Sequence, residues 1–295
     1  MIRSRENLLA LAGRYAAERR APVATIIKEL LHYEILYALL ESGAAENLVF
    51  QGGTCLRLCH RGTRYSEDLD FVADRPLPGR ELDRFEKILR TQIASAYGLA
   101  VSARQRIEPR EGSLVQVARI NLKIEIPNAD RSAQQKQLIN LELAGVPAHD
   151  DELLPVSANY PHLPSPFRSM LVRAETRREI MADKVIALGA RSYLKYRDVW
   201  DLKFLEDGGQ EVDLELIQRK VGDYKIAPEN FVQRLKERQA FLGSGEANRA
   251  FQQEMSRFLD AGISAQLDKD RRLVQKIMDA AVRCAAKGQE FYQGK

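Results

Sequence analysis

Cysteine, histidine and tryptophan are scarce in this chain of 295 residues, which holds three, four and one of them. Cys55, Cys59 and Cys284 are too few and too unevenly placed for a disulfide framework, so a reducing compartment is expected. The histidines, His32, His60, His149 and His162, are scattered. Even with Cys55 and Cys59 four apart, no zinc-ligand spacing results, and those cysteines are expected to pack one helix face. Long apolar runs are also missing. The first twenty residues, MIRSRENLLALAGRYAAERR, offer only LLALA and fit neither a secretory signal nor a membrane anchor. A soluble, cytoplasmic chain with no membrane partner is the expectation. Nor does one sign of charge dominate: 45 basic against 41 acidic residues leave a net charge of +4. That permits a polyanionic partner without requiring one.

What is present suffices for a core, since 45% of the residues are hydrophobic. Ile26 to Ser42 carries apolar residues at helical spacing and stops against Gly43. LVF before Gly52-Gly53 reads as a buried strand, TCLRLCH as the first turns of a helix, and Leu69, Phe71 and Val72 as a second strand. Arg80 to Tyr97 is helical by pattern. From Leu114 the period changes to two, with Ala118, Ile120, Leu122, Ile124 and Ile126 on one side and Arg119, Asn121, Lys123 and Glu125 on the other.

Five prolines between Pro147 and Pro166 predict a linker. Residues 1–150 are therefore expected to form an N-terminal helix and αβ domain. Residues 151–295 are expected to form a linker, a short strand and a mainly helical domain. Thr176-Arg-Arg-Glu179 reads as a capping box opening a helix to about Ser192, which sets Arg177, Lys184 and Arg191 on one face.

The chemistry concentrates in QGGTCLRLCHRGTRYSEDLDFV, Gln51 to Val72. Residues two apart on a strand face the same side, so Ser66, Asp68 and Asp70 should project together while Leu69 and Phe71 anchor the other face. Two carboxylates suit Mg²⁺, or Mn²⁺, which completes its shell with water and substrate phosphates. Gly52 and Gly53, at a helix start, would let backbone N–H groups approach phosphate oxygens. Either feature alone is better explained by a glycine turn or a solvated acidic strand end. Their combination points to an NTP site.

GGTCLRLCHRGTRYSEDLDF resembles the signature of the AbiEii/AbiGii toxin nucleotidyltransferases, a branch of the DNA polymerase beta-like superfamily. Gly52, Gly53 and Thr54 match its glycine motif, and Arg64, Ser66, Asp68, Leu69, Asp70 and Phe71 match R-x-S-x-D-L-D-F. ADKVIALGARSYLKYRDVWDL is similar to the second block of the family. That match implies that Lys184 contacts nucleotide phosphates and that Asp198 is a further essential acid. The resemblance implies an α+β fold, a mixed nucleotidyltransferase sheet flanked by helices and followed by a helical C-terminal domain. It further implies Mg²⁺-dependent NMP transfer from an NTP, an RNA acceptor such as the tRNA 3′ end, and a cognate antitoxin, a winged-helix regulator encoded nearby. Two other readings stand beside it: transfer to a small molecule or protein side chain, and a nucleotide- or RNA-binding module without transfer.

Other residues keep two readings. Glu125 is either a third metal carboxylate or a surface ion pair with Lys123 or Arg119. Lys184 is a phosphate ligand or a solvated helix lysine. Asp198 is an essential acid or an N-cap. Arg191 either holds Asp198 or binds phosphate, and Asp201 is a weaker functional candidate than Asp198 or a surface partner of Arg197 or Lys203.

Overall fold

A computed structural model describes residues 3–127 and 134–292. Two helices, α1 (Arg5–Arg19) and α2 (Val23–Glu41), lead into β1 (Val49–Gln51), α3 (Gly52–Cys59), β2 (Leu69–Val72) and α4 (Gly79–Tyr97). Three long strands follow, β3 (Ala100–Pro109), β4 (Gln116–Pro127) and β5 (Gln134–Ala144). Next come β6 (Asp151–Pro155), α5 (Ser165–Arg168) and β7 (Leu171–Glu175). The rest is helical: α6 (Arg177–Ala190), α7 (Tyr196–Asp207), α8 (Leu214–Asp223), α9 (Pro228–Leu242), α10 (Gly245–Met255), α11 (Ala261–Lys269) and α12 (Arg271–Gly288).

The seven strands form one mixed sheet in the order β3-β4-β5-β2-β1-β7-β6. β2 pairs antiparallel with β1 and parallel with β5, while β1 runs parallel to β7. This is an α+β fold with a mixed sheet, helices on its flanks and a helical C-terminal part. The proline-rich stretch expected as a linker carries β6, which pairs antiparallel with β7, so the sheet continues past residue 150. β3 and β5 have no counterpart among the sequence-based elements. On β4 the alternation holds: Ala118, Ile120, Leu122, Ile124 and Ile126 are buried, and α4 packs beneath them.

Helix α6 is the spine of the C-terminal part, buried from Glu179 to Ala190 and packed against α7, α8 and α9. Half of the expected capping box forms. Thr176 Oγ1 accepts from the Glu179 N–H, but the Glu179 carboxylate turns away and accepts from the backbone N–H groups of His149 and Asp150. It also meets Lys220 of α8 at 2.7 Å, as does Asp183, and Glu175 lies 3.0 Å from the same ammonium. All four side chains are buried. Burial, with Asp183 nearby, pushes the Glu175 carboxyl well above the usual range, which relieves three acids crowding one lysine.

Candidate active site

The chain leaves β1 extended at Gln51 and enters α3 at once through Gly52, whose φ of +79° lies in the region glycine tolerates. Because Gln51 sits opposite Asp70 in the β1–β2 ladder, the glycines face the carboxylate. A Cβ on Gly52 would stand 2.6 Å from Asp70 Oδ2, and one on Gly53 2.3 Å from Arg64 Nη2. Only bare backbone fits here. The first N–H groups of α3 thus open on the same cleft as the acids.

Strand β2 begins at Leu69, so Ser66 and Asp68 lie on its extended approach rather than within it. Ser66, Asp68 and Asp70 nevertheless all line the cleft, as the alternation predicts. Asn140 Nδ2 donates to Asp68 Oδ1 at 2.8 Å. Thr54, matched to the glycine motif, is buried and donates its hydroxyl to the Asp68 carbonyl, so it fixes the acid's backbone.

The third carboxylate is Glu142, not Glu125. Glu142 on β5 stands register-opposite Asp70, lines the cleft and is held by Arg119 Nε at 2.9 Å. Glu125 lies six residues along β4 from Arg119, about 20 Å at strand rise, and pairs with Lys123 at 3.0 Å. It is the surface ion pair, outside the cleft lining. Glu142 was readable as the one charged residue in LINLELA. Burial first, then the neighbouring Glu142 and Asp68, push the Asp70 carboxyl up to about 7. Such crowding is the environment that a divalent cation relieves.

The opposite wall comes from α6 and α7. Lys184 Nζ lies 2.8 Å from both Asp198 Oδ1 and Asp201 Oδ2. Arg191 also pairs with Asp198, so of its two readings the one holding Asp198 is realised in part. Burial works against charge on Asp198 and Lys184, yet Lys184 and Arg191 hold the Asp198 carboxyl well below its usual range, and the two aspartates raise Lys184. Asp198 does not cap a helix, because α7 starts at Tyr196 with Lys195 as its N-cap.

Asp201 pairs with neither Arg197 nor Lys203, which go to Glu67 and Asp207. It grips Arg64 with two hydrogen bonds of 2.6 Å. Arg64, matched to the signature, thus lines the cleft with its fork committed to Asp201 and the Tyr65 carbonyl. Sequence reasoning undervalued Asp201, since its partner is 137 residues away. Arg110, Tyr193, Lys195 and Arg197 complete the rim.

Among the described residues no three His, Cys, Asp or Glu side chains stand close enough to cage a metal by themselves. That donor set suits an ion needing one or two carboxylates, with phosphate and water supplying the rest. The cysteines form no disulfide, and Cys55 is buried on α3.

A glycine-opened helix facing carboxylates across a mixed sheet, with a lysine-bearing helix opposite, defines a nucleotidyltransferase-type site. The family model described as nucleotidyl transferase AbiEii toxin of type IV toxin–antitoxin systems matches residues 34–280. The chain belongs to this family, which implies a cognate antitoxin. Among solved structures it is similar to JHP933 from Helicobacter pylori, at 18% identity and a TM-score of 0.45 over 92% of this chain and 94% of that one. A second H. pylori structure, described as a candidate nucleotidyltransferase, matches at 18% identity and a TM-score of 0.42 over 90% and 95% of the two chains. No curated protein matches. No described helix is long and apolar enough to cross a membrane.

Proposed function

We propose that this cleft transfers NMP from an NTP to the 3′ end of an RNA, tRNA first among the candidates, as the cytoplasmic toxin of its toxin–antitoxin pair. The observation that carries the reading is the convergence of the α3 N-terminus at Gly52-Gly53 with Asp68, Asp70 and Glu142 on one cleft. In the reaction an acceptor hydroxyl oxygen bonds to the α-phosphorus, the P–O bond to the β-phosphate breaks, pyrophosphate leaves, and the hydroxyl proton passes to solvent.

Asp68 and Asp70, with Glu142 beside them, would hold Mg²⁺ or Mn²⁺. The ion would supply charge neutralisation at the triphosphate and at the leaving pyrophosphate. The backbone N–H groups at Gly52-Gly53 bind phosphate oxygens. Lys184 has three donors; Asp198 and Asp201 take two, which leaves one for a phosphate. Arg191 offers the nitrogens that Asp198 does not use. Arg64, Thr54 and Asp201 position these groups.

The test is label transfer from each of the four NTPs to bulk tRNA with Mg²⁺. Wild type should label the RNA, and Asp70→Ala should lower the rate by about 10³-fold or more, the scale of losing a charge-stabilising group. A wild-type protein inert toward RNA across all four NTPs, or labelling a hydroxylated small molecule instead, would overturn this reading.

A further inference from the structure

Among the described residues, the outer part of the sheet has one face whose side chains are exposed or half-buried, and that face runs on from the carboxylates. Register joins Asp70, Glu142, Arg119 and Arg106 in one rung across β2, β5, β4 and β3. The next rung holds Asn140, Asn121 and Arg104. Asn121 Nδ2 donates to Asn140 Oδ1 at 2.6 Å, and Asn140 in turn donates to Asp68. One rung further are Leu138, Lys123 and Ser102, where Leu138 is 59% exposed. All of these lie on the side away from the buried Ile120, Leu122 and Ile124.

Charge on this face is uneven. Arg119 is neutralised between Glu142 and Glu108, and Lys123 by Glu125. Arg104 and Arg106 are exposed, and among the described residues neither has a carboxylate partner. Two apart on β3, they stand about 7 Å from each other.

The end of the face nearest the helices is closed. In the β3–β4 turn, Ser113 Oγ donates to the Tyr224 carbonyl, and Arg110 Nη1 donates to the Tyr224 hydroxyl at 3.1 Å. Glu111 accepts from the Ser192 N–H at 2.9 Å. A chain reaching Asp68 and Asp70 from outside therefore has its open approach along β3–β5.

We infer that an RNA strand crosses this face, its phosphates held by Arg104 and Arg106 and its 3′ end led past Asn121 and Asn140 to the carboxylates. The inference rests on the nucleotidyl-transfer reading for its direction, but it concerns binding and is tested by binding. Two unneutralised arginines complement a phosphodiester chain, the amides supply hydrogen bonds, and Leu138 offers an apolar surface on which a base can lie. An acidic peptide would meet the same arginines but carries no sugar hydroxyl to deliver to the acids.

The experiment compares wild type with the double variant Arg104→Glu/Arg106→Glu in filter binding of labelled bulk tRNA over a salt series. A second double variant, Arg80→Glu/Arg90→Glu, makes the same charge change at exposed positions of α4. The first variant should bind RNA at least ~30-fold more weakly, and the slope of log affinity against log salt should fall by about two. Its affinity for a fluorescent NTP with Mg²⁺ and its thermal melt should match wild type, and the α4 variant should bind RNA as wild type does. Unchanged RNA affinity and slope in the first variant, an equal loss in the α4 variant, or no RNA binding by wild type overturns the proposal. Wild type that binds RNA through these arginines yet transfers nothing leaves this surface standing and removes the transfer reading.

Discussion

A methyl group added at Gly52 would press on Asp70 Oδ2 from 2.6 Å while the backbone holds φ at +79°. The side chain and the dihedral object together, and since the β1–β2 ladder fixes the Asp70 backbone, the carboxylate can yield only by rotating away from its place in the cleft. Gly52→Ala is expected to cost about 1–3 kcal/mol from backbone strain. It should lower transfer about 100-fold by moving the acid roughly 1 Å. Thermal melts and single-turnover labelling would check the two effects separately, and full activity in Gly52→Ala would show that this contact does not set the position of Asp70. Such residues are the ones that local spacing reveals. Gly-Gly and Asp-Leu-Asp sit about fifteen residues apart, at the ends of the adjacent strands β1 and β2, so Gln51 to Val72 already contains their encounter. Glu142 arrives from β5, and Glu125 was the wrong choice because alternation tells which face a strand residue takes and not how far along the strand the cleft lies.

The pairing of α6 with α7 makes one wall of the cleft. Lys184 on α6 ties to Asp198 and Asp201 on α7, and Asp201 carries the link on to Arg64, beside the α3 glycines. Arg64, Lys184 and Asp201 are all buried, so among the described residues removing the shared acid leaves Arg64 with no carboxylate partner and Lys184 with Asp198 alone. Asp201→Ala should cost about 3–5 kcal/mol of stability, the range for breaking a buried pair, whereas Asp201→Asn should cost less, because its one oxygen can still accept from Arg64 Nη2 and Lys184 while its Nδ2 is left facing the Arg64 Nε–H. Urea unfolding without nucleotide would read this, and an Asp201→Ala midpoint equal to wild type would remove the structural role. Periodicity marked α4 and β4 because each buries one side, whereas α2 and α6, buried nearly all round, were marked by apolar spacing together with the Gly43 stop and the Thr176 cap. It missed β3, AVSARQRIEP, whose residues are exposed or half-buried throughout, so its partner strand defines it rather than its own apolar pattern.

Over the whole molecule, the loop that carries the acids is also tied to the N-terminal helices. His32 of α2 is buried at 1% exposure, and its Nε2 lies 3.1 Å from the Glu67 carbonyl, which can only accept, so Nε2 carries the proton. Burial pushes this imidazole down to about 4. A depressed histidine contributes stability that is present above its unfolded value near 6.5 and is lost as pH falls toward 4, because the unfolded chain takes up the proton first. The size is about 3 kcal/mol across that window. Asp70 acts in the opposite sense: its raised value favours the folded state as pH falls from 7 toward 4, so the wild-type profile alone understates the histidine. Comparison with His32→Gln cancels the Asp70 contribution, since glutamine can still donate to the Glu67 carbonyl while carrying no titrating group. Urea midpoints from pH 7 to 4 should show wild type losing stability relative to His32→Gln by about 3 kcal/mol. Parallel profiles for the two proteins would mean that the ring is not held neutral, and that α2 does not anchor the acid-bearing loop through it.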